Sequence, residues 1–187
     1  MDIIMIRHGE TSDNLDKVFS RFDTGLTEKG KRQIEAAKVK LKDFSFEEVY
    51  FSPFDRTVES LRILDLHGSL EPRIREINFG IFAGKTYKEI LEIYPSETKE
   101  WLEDTNNYRI AEGESLLDVY TRVIDFLEEI YKTGKDTLLV THDCVIRLAL
   151  CWVFDDIDYF FKFKVDNGSI SVISIDKGFK FIKSLNN

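Results

Sequence analysis

The chain has 187 residues, a hydrophobic fraction of 43% and a formal net charge of −8. These figures predict one soluble domain over 1–187, large enough to bury a core without staples. The acidic balance argues against nucleic acid or an anionic membrane as main partner, although converging basic residues can still hold a phosphate.

Ile3 to Ile6 run apolar into Arg7, His8 and Gly9, which reads as a strand buried on both faces with polar groups at its carboxyl end. Thr11 to Thr24 is polar and reads as loop or a short helical turn. Thr27 caps a helix from Glu28 to about Leu41, with Ile34, Ala37 and Leu41 on one face. Val49 to Phe51 is a second buried strand. Ser52-Pro53 reads as a helix start, Ser52 the cap and Pro53 the first helical position. Glu71 to Ile74 is expected as a short edge strand, where Pro72 is tolerated.

Glu76 to Gly84 is irregular. Thr86 and Glu89 form a capping box for a helix ending before Pro95, and another helical stretch surrounds Trp101. Ser115 and Asp118 cap Leu116 to Tyr131. Leu138 to Val140 is a third buried strand, ending at Thr141-His142-Asp143, and an almost wholly apolar helix follows from Cys144 to Phe154. Cys144 and Cys151 lie about 10 Å apart on that helix, too far for a disulfide. Reduced thiols and the lack of a leader predict a cytoplasmic protein. No apolar run reaches about 18 residues, so no membrane span is expected. Ser169 to Ile175 alternates as a half-buried strand. Asp176-Lys177-Gly178 turns it into a last strand, Phe179 to Ile182, forming a hairpin. Strands alternating with helices predict an α/β fold: a three-layer α/β/α sandwich whose mostly parallel central sheet carries an antiparallel C-terminal edge hairpin.

In a parallel sheet the three strand ends lie on one side. Arg7, His8, Arg56 and His142 then meet in one crevice, and such a gathering suits a phosphate. Arg56 also sits in the first turn of its helix, whose N-terminus favours anions. The third histidine, His67, reads as a surface residue, and no cluster has metal-ligand spacing.

Arg7-His8-Gly9-Glu10-Thr11 with Asn14 resembles the signature of the histidine phosphatase superfamily, also called phosphoglycerate mutase-like. Gly25-Leu26-Thr27-Glu28, Ser52-Pro53 with Arg56-Thr57, Ile74 to Gly80, Gly113-Glu114-Ser115 and Thr141-His142 resemble the family's later blocks in order. The resemblance implies a phosphomonoesterase of the short phosphatase branch, which includes α-ribazole phosphatases. It implies no metal and no cofactor, and a small phosphorylated metabolite as substrate for a monomer or homodimer. His8 is the implied nucleophile, forming a phosphohistidine. Glu76 is the implied general acid and base. Arg7, Arg56 and His142 bind the phosphoryl group, with Asn14 and Arg21 as further contacts. Glu10 and Glu114 are acidic candidates by type but suit helix starts better.

The sequence departs from the family at Asp143-Cys144, where a small residue usually follows the second histidine. It departs again at Phe82-Ala83-Gly84 and at Ala111-Glu112-Gly113. Asp143 is placed either to contact His142 or to begin the next helix, and it invites a non-catalytic phospho-ligand-binding module as an alternative. Phosphoglycerate mutase-type transfer is the other alternative, disfavoured by the short segment Gly84 to Gly113. Phe22, Phe79, Phe82, Tyr108 and Arg109 are candidates for lining the substrate side.

Overall fold

Successive strand residues face opposite ways, so an apolar run buried on both sides must feed two cores. The computed structural model describes residues 1–187 and has six strands: β1 (Asp2–Arg7), β2 (Glu48–Phe51), β3 (Ser69–Leu70), β4 (Thr137–Thr141), β5 (Ile170–Asp176) and β6 (Phe179–Ser184). Its α-helices are α1 (Ser12–Asp16), α2 (Glu28–Lys40), α3 (Asp55–Leu64), α4 (Tyr87–Ile93), α5 (Pro95–Glu103), α6 (Leu116–Thr133) and α7 (Asp143–Trp152). Along β1, Ile3 and Met5 join the core built with α6 and α7, while Ile4 and Ile6 join the core built with α2 and α3. In β4, Leu139 faces the first core, and Leu138 and Val140 the second. Helices therefore cover both faces, giving three layers.

Strand order is β3-β2-β4-β1-β5-β6. The first four strands are parallel, and β5 and β6 run antiparallel. β1 and β4 pair with Arg7 opposite Thr141, and His8 N–H donates to the Thr141 carbonyl at 3.0 Å. That register sets the two histidines side by side at the carboxyl edge.

Caps at the expected residues define the helices. Thr27 accepts from Gly30 N–H, and complete capping boxes open α4 at Thr86–Glu89 and α6 at Ser115–Asp118. A third box, Thr11 with Asn14, opens α1. Along α6, Val119, Val123, Phe126, Leu127 and Ile130 are buried in one stripe, each contributing about 1.5–3 kcal/mol of apolar burial.

Three local expectations are corrected. The helix after β2 begins at Asp55 with Phe54 at the cap, so Ser52 caps nothing. The edge strand is Ser69–Leu70; Pro72–Ile74 is a 3₁₀ turn, with Pro72 in its first turn and Glu71 as its side-chain cap. β5 is buried on both faces because Ile173 and Ile175 join the core of α6 and α7 while Ile170 and Val172 join that of α2 and α3, so its serines pack inside. Gly9 serves packing: a Cβ there would meet the Gly30 carbonyl oxygen at 2.2 Å, and one on Gly30 would meet the Glu10 carbonyl oxygen at 2.1 Å. The loop after β1 and the first turn of α2 are thus in backbone contact. No helix is long and apolar enough to cross a membrane.

Candidate active site

His8 follows the last residue of β1 and is almost fully buried. Its Nδ1 lies 2.7 Å from the Gly9 carbonyl, an acceptor only, so Nδ1 carries the proton and Nε2 keeps the lone pair. Arg56 Nε donates to that Nε2 at 3.2 Å. Burial, then the charges of Arg56 and Arg7, hold the His8 pKa well below the usual imidazole value, so the ring is neutral near neutral pH.

His142 stands edge-on to His8, with ring centroids 5.2 Å apart. It is the cap residue of α7 and is fully buried. Burial and Arg56 also depress its pKa strongly. Its Nε2 lies 2.7 Å from Ser52 Oγ, and its Nδ1 has no partner. The Phe54 ring packs against His142 and against the Arg56 guanidinium.

The arginines are held by backbone carbonyls. Arg56 Nη1 donates to the Arg21 carbonyl at 2.6 Å, and Arg7 Nη1 donates to the Val165 carbonyl. Each leaves one buried nitrogen without a partner, Nη2 of Arg56 and Nε of Arg7. With His142 Nδ1, three buried nitrogens on the residues gathered at His8 lack a partner. Unmet donors of this kind are costly and mark a place for a ligand.

Glu76 lies on the loop after the 3₁₀ turn. Burial raises its carboxyl pKa, against the opposing pull of Arg56. Ile77 N–H donates to its Oε1 at 3.1 Å. The loop is held from α6: Arg122 donates to the carbonyls of Arg73, Arg75 and Glu76, and its guanidinium pairs with Glu114 at 3.0 Å. Glu114 also takes Arg75 at 2.6 Å and Asn78 N–H at 3.0 Å. Glu114 is thus a bracket for the loop, and Glu10, bound to Lys29 and Thr27, faces α2.

The structure brings Arg7, His8, Arg56, Glu76 and His142 together. Asn14 spends its side-chain oxygen on the α1 capping box and on Asn167 Nδ2, which also donates to the His8 carbonyl. Arg21 directs its guanidinium to the buried carboxylate of Asp13 at 2.5 Å and is half exposed; its backbone carbonyl is what reaches Arg56. Asp143 does not touch His142. It opens α7 and lies between Arg7, at 3.5 Å, and Arg147, at 3.3 Å. Ser52, Arg122 and Asn167 were not singled out for the site from sequence.

A cavity of about 280 Å³ adjoins the cluster. Arg7, Glu76, Asp143 and Cys144 border one part of it; Phe19, Phe79, Trp101, Tyr108 and Phe160 form aromatic walls. Phe82 instead fills a small core with Ile90 and Ile110, Arg109 pairs outward with Asp118, and Phe22 is 70% exposed. Burial and the nearby carboxyls of Glu76 and Asp143 raise the Cys144 thiol well above its usual pKa, so it is no thiolate. No three His, Cys, Asp or Glu side chains are grouped to hold a metal ion.

The model of the histidine phosphatase superfamily (branch 1) matches residues 3–187, and the chain belongs to that superfamily. It is a phosphatase, similar over nearly its full length to proteins of that activity. Phosphoserine phosphatase 1 of Hydrogenobacter thermophilus is 32% identical, over 98% of this chain and 91% of the relative. The adenosylcobalamin/alpha-ribazole phosphatase of Salmonella typhimurium is 26% identical, over 100% of this chain and 96% of its own. Among solved structures, the alpha-ribazole phosphatase of Shigella flexneri superposes with a TM-score of 0.93 at 26% identity, over 100% of this chain and 96% of that one.

Proposed function

We propose that the chain hydrolyses a small phosphomonoester through a phosphohistidine on His8. The observation that carries this reading is the protonation and setting of His8. Its Nδ1 proton is held by Gly9, its Nε2 is the unprotonated edge, and Arg7, Arg56 and His142 beside it each carry a buried nitrogen without a partner.

In the first step Nε2 attacks phosphorus and the bond from phosphorus to the ester oxygen breaks. Glu76, whose carboxyl pKa is raised by burial, gives its proton to the departing alkoxide. Arg56 and Arg7 turn their free nitrogens onto the phosphoryl oxygens, and His142 donates from Nδ1. For Nδ1 to carry that proton, the Ser52 hydroxyl must donate to Nε2 of His142. In the second step Glu76, now a carboxylate, takes a proton from water. The water attacks phosphorus, the phosphorus–nitrogen bond breaks, and inorganic phosphate leaves with His8 restored. The arginines supply the positive charge and His142 a neutral donor, and the reading includes no metal.

The test is to quench the protein during turnover of a ³²P-labelled ester. Acid-labile, alkali-stable label on wild type and none on His8→Ala supports the reading. Hydrolysis by wild type no faster than by His8→Ala overturns it.

A further inference from the structure

The inference concerns the alcohol that leaves, and it rests on the phosphatase reading above. Three carboxyl groups border the cavity: Glu76, Glu114 and Asp143. Glu76 is buried, which raises its carboxyl pKa, and accepts from the Ile77 N–H. Glu114 is saturated by Arg75, Arg122 and the Asn78 N–H. Asp143 is neither buried nor saturated. Its contacts to Arg7 and Arg147, 3.5 Å and 3.3 Å, are long for charge-assisted bonds, which run about 2.7–2.9 Å.

Both arginines are anchored elsewhere. Arg7 Nη1 donates to the Val165 carbonyl. Arg147 gives Nε and Nη2 to the Phe160 carbonyl, at 3.0 Å and 2.7 Å, with its guanidinium 3.8 Å from the Phe160 ring centroid. They fix Asp143 without filling its lone pairs, and 29% of its side chain remains accessible. The cavity is also lined by aromatic residues, including Phe19, Trp101 and Tyr108. Aromatic faces and an under-coordinated carboxylate suit a cation. The volume, about 280 Å³, sits at the small end of ligand pockets.

We propose that Asp143 determines specificity: it receives an ammonium group on the leaving alcohol, so the substrate is a small phosphorylated amino alcohol or hydroxy amino acid. The competing account is an ion pair from Asp143 to Arg147, one helical turn apart, that merely holds α7. That account predicts no dependence on an amine.

The test compares kcat/KM for O-phosphoethanolamine and propyl phosphate, which differ by ammonium against methyl, and for O-phosphoserine and 3-phosphoglycerate, which differ by ammonium against hydroxyl. Wild type should favour the amine-bearing ester in each pair by about tenfold or more, the worth of one charge-assisted bond. Asp143→Asn should bring both ratios near one by lowering the amine-bearing rates. Ratios near one in wild type overturn the proposal, as do ratios that survive Asp143→Asn. Should that variant fail to fold, the wild-type ratios decide alone. Hydrolysis of p-nitrophenyl phosphate without amine preference sinks this proposal and spares the phosphatase reading; no hydrolysis of any ester sinks both.

Discussion

Arg56 Nε donates to His8 Nε2 across 3.2 Å, so the cation that would bind the phosphoryl group rests on the atom that would attack it. The contact satisfies the lone pair, and Arg56 helps keep the ring unprotonated. Attack requires the guanidinium to release Nε2 and take phosphoryl oxygen. Arg56→Ala should lower kcat/KM by about 10²–10³, the usual cost of losing one preorganised donor. Arg56→Lys should recover little, since an ammonium cannot serve Nε2, the Arg21 carbonyl and the ligand from a planar fork. Steady-state kinetics on p-nitrophenyl phosphate checks both variants.

Glu76 gives a prediction that depends on the leaving group. Glu76→Gln should slow alkyl esters by about 10²–10⁴, whereas p-nitrophenol leaves without an acid. Dephosphorylation still needs the base, so this variant should accumulate phosphohistidine from p-nitrophenyl phosphate. Rapid quench with a labelled aryl ester would show it; a variant that turns over both ester classes at wild-type rates would remove Glu76 from the chemistry.

The ionisable groups also fix the sign of the pH dependence. His8 must be neutral to attack and its pKa is depressed, so the acid limb of kcat/KM should fall well below about pH 6.5. Both histidines bind protons less readily when folded, so stability should drop as pH falls below about 6.5. Glu76 acts oppositely: the folded chain holds its proton more tightly, and stability is lost as pH rises from about 4.3 toward the raised value. Glu76→Gln removes that loss, so its Tm at neutral pH should exceed wild type, read by calorimetry across a pH series.

Ser52→Ala leaves His142 Nε2 buried without a partner. It should cost about 1–3 kcal/mol in stability and cut kcat by about tenfold or more as the tautomer is lost. Ser52→Thr keeps the hydroxyl and should restore much of kcat. A purely structural Ser52 would lower Tm and leave kcat intact.

Arg122→Met leaves Glu114 with Arg75 and the Asn78 N–H and frees three loop carbonyls. Losing one partner of a charged, mostly buried group and leaving the loop carbonyls unmet should cost about 1–3 kcal/mol. A loosened Glu76 should also depress kcat for alkyl esters more than for p-nitrophenyl phosphate, and comparing the two substrates separates loop positioning from general instability.

Much of this arrangement was legible because strand-end chemistry is local. Arg7-His8 and Thr141-His142 each follow an apolar run, and parallel pairing puts them on one edge. The caps at Thr27, Thr86 and Ser115 were legible for the same reason. What escaped was set by contacts remote in sequence. Ser52 before Pro53 has the local form of a helix cap, and only the fold brings His142, 90 residues on, to its hydroxyl. Arg21 and Asp13 make a pair that neither residue announces. Asp143 stands out in sequence where a small residue is usual, but its partners Arg7 and Arg147 depend on the start of α7. The alternating serines of β5 gave a half-buried pattern because sequence cannot say that a strand lies inside the sheet.

The position of β4 between β2 and β1 bears on how the molecule assembles. The first two long strands to leave the ribosome are not neighbours; the slot between them is filled by residues 137–141. Until those are made, β1 and β2 have no partner in each other, and their apolar edges stay open. The segment that closes the sheet also delivers His142. Completion of this long-range pairing and arrival of His142 beside His8 are thus one event, and a nascent chain arrested before Thr137 would hold His8 without that partner.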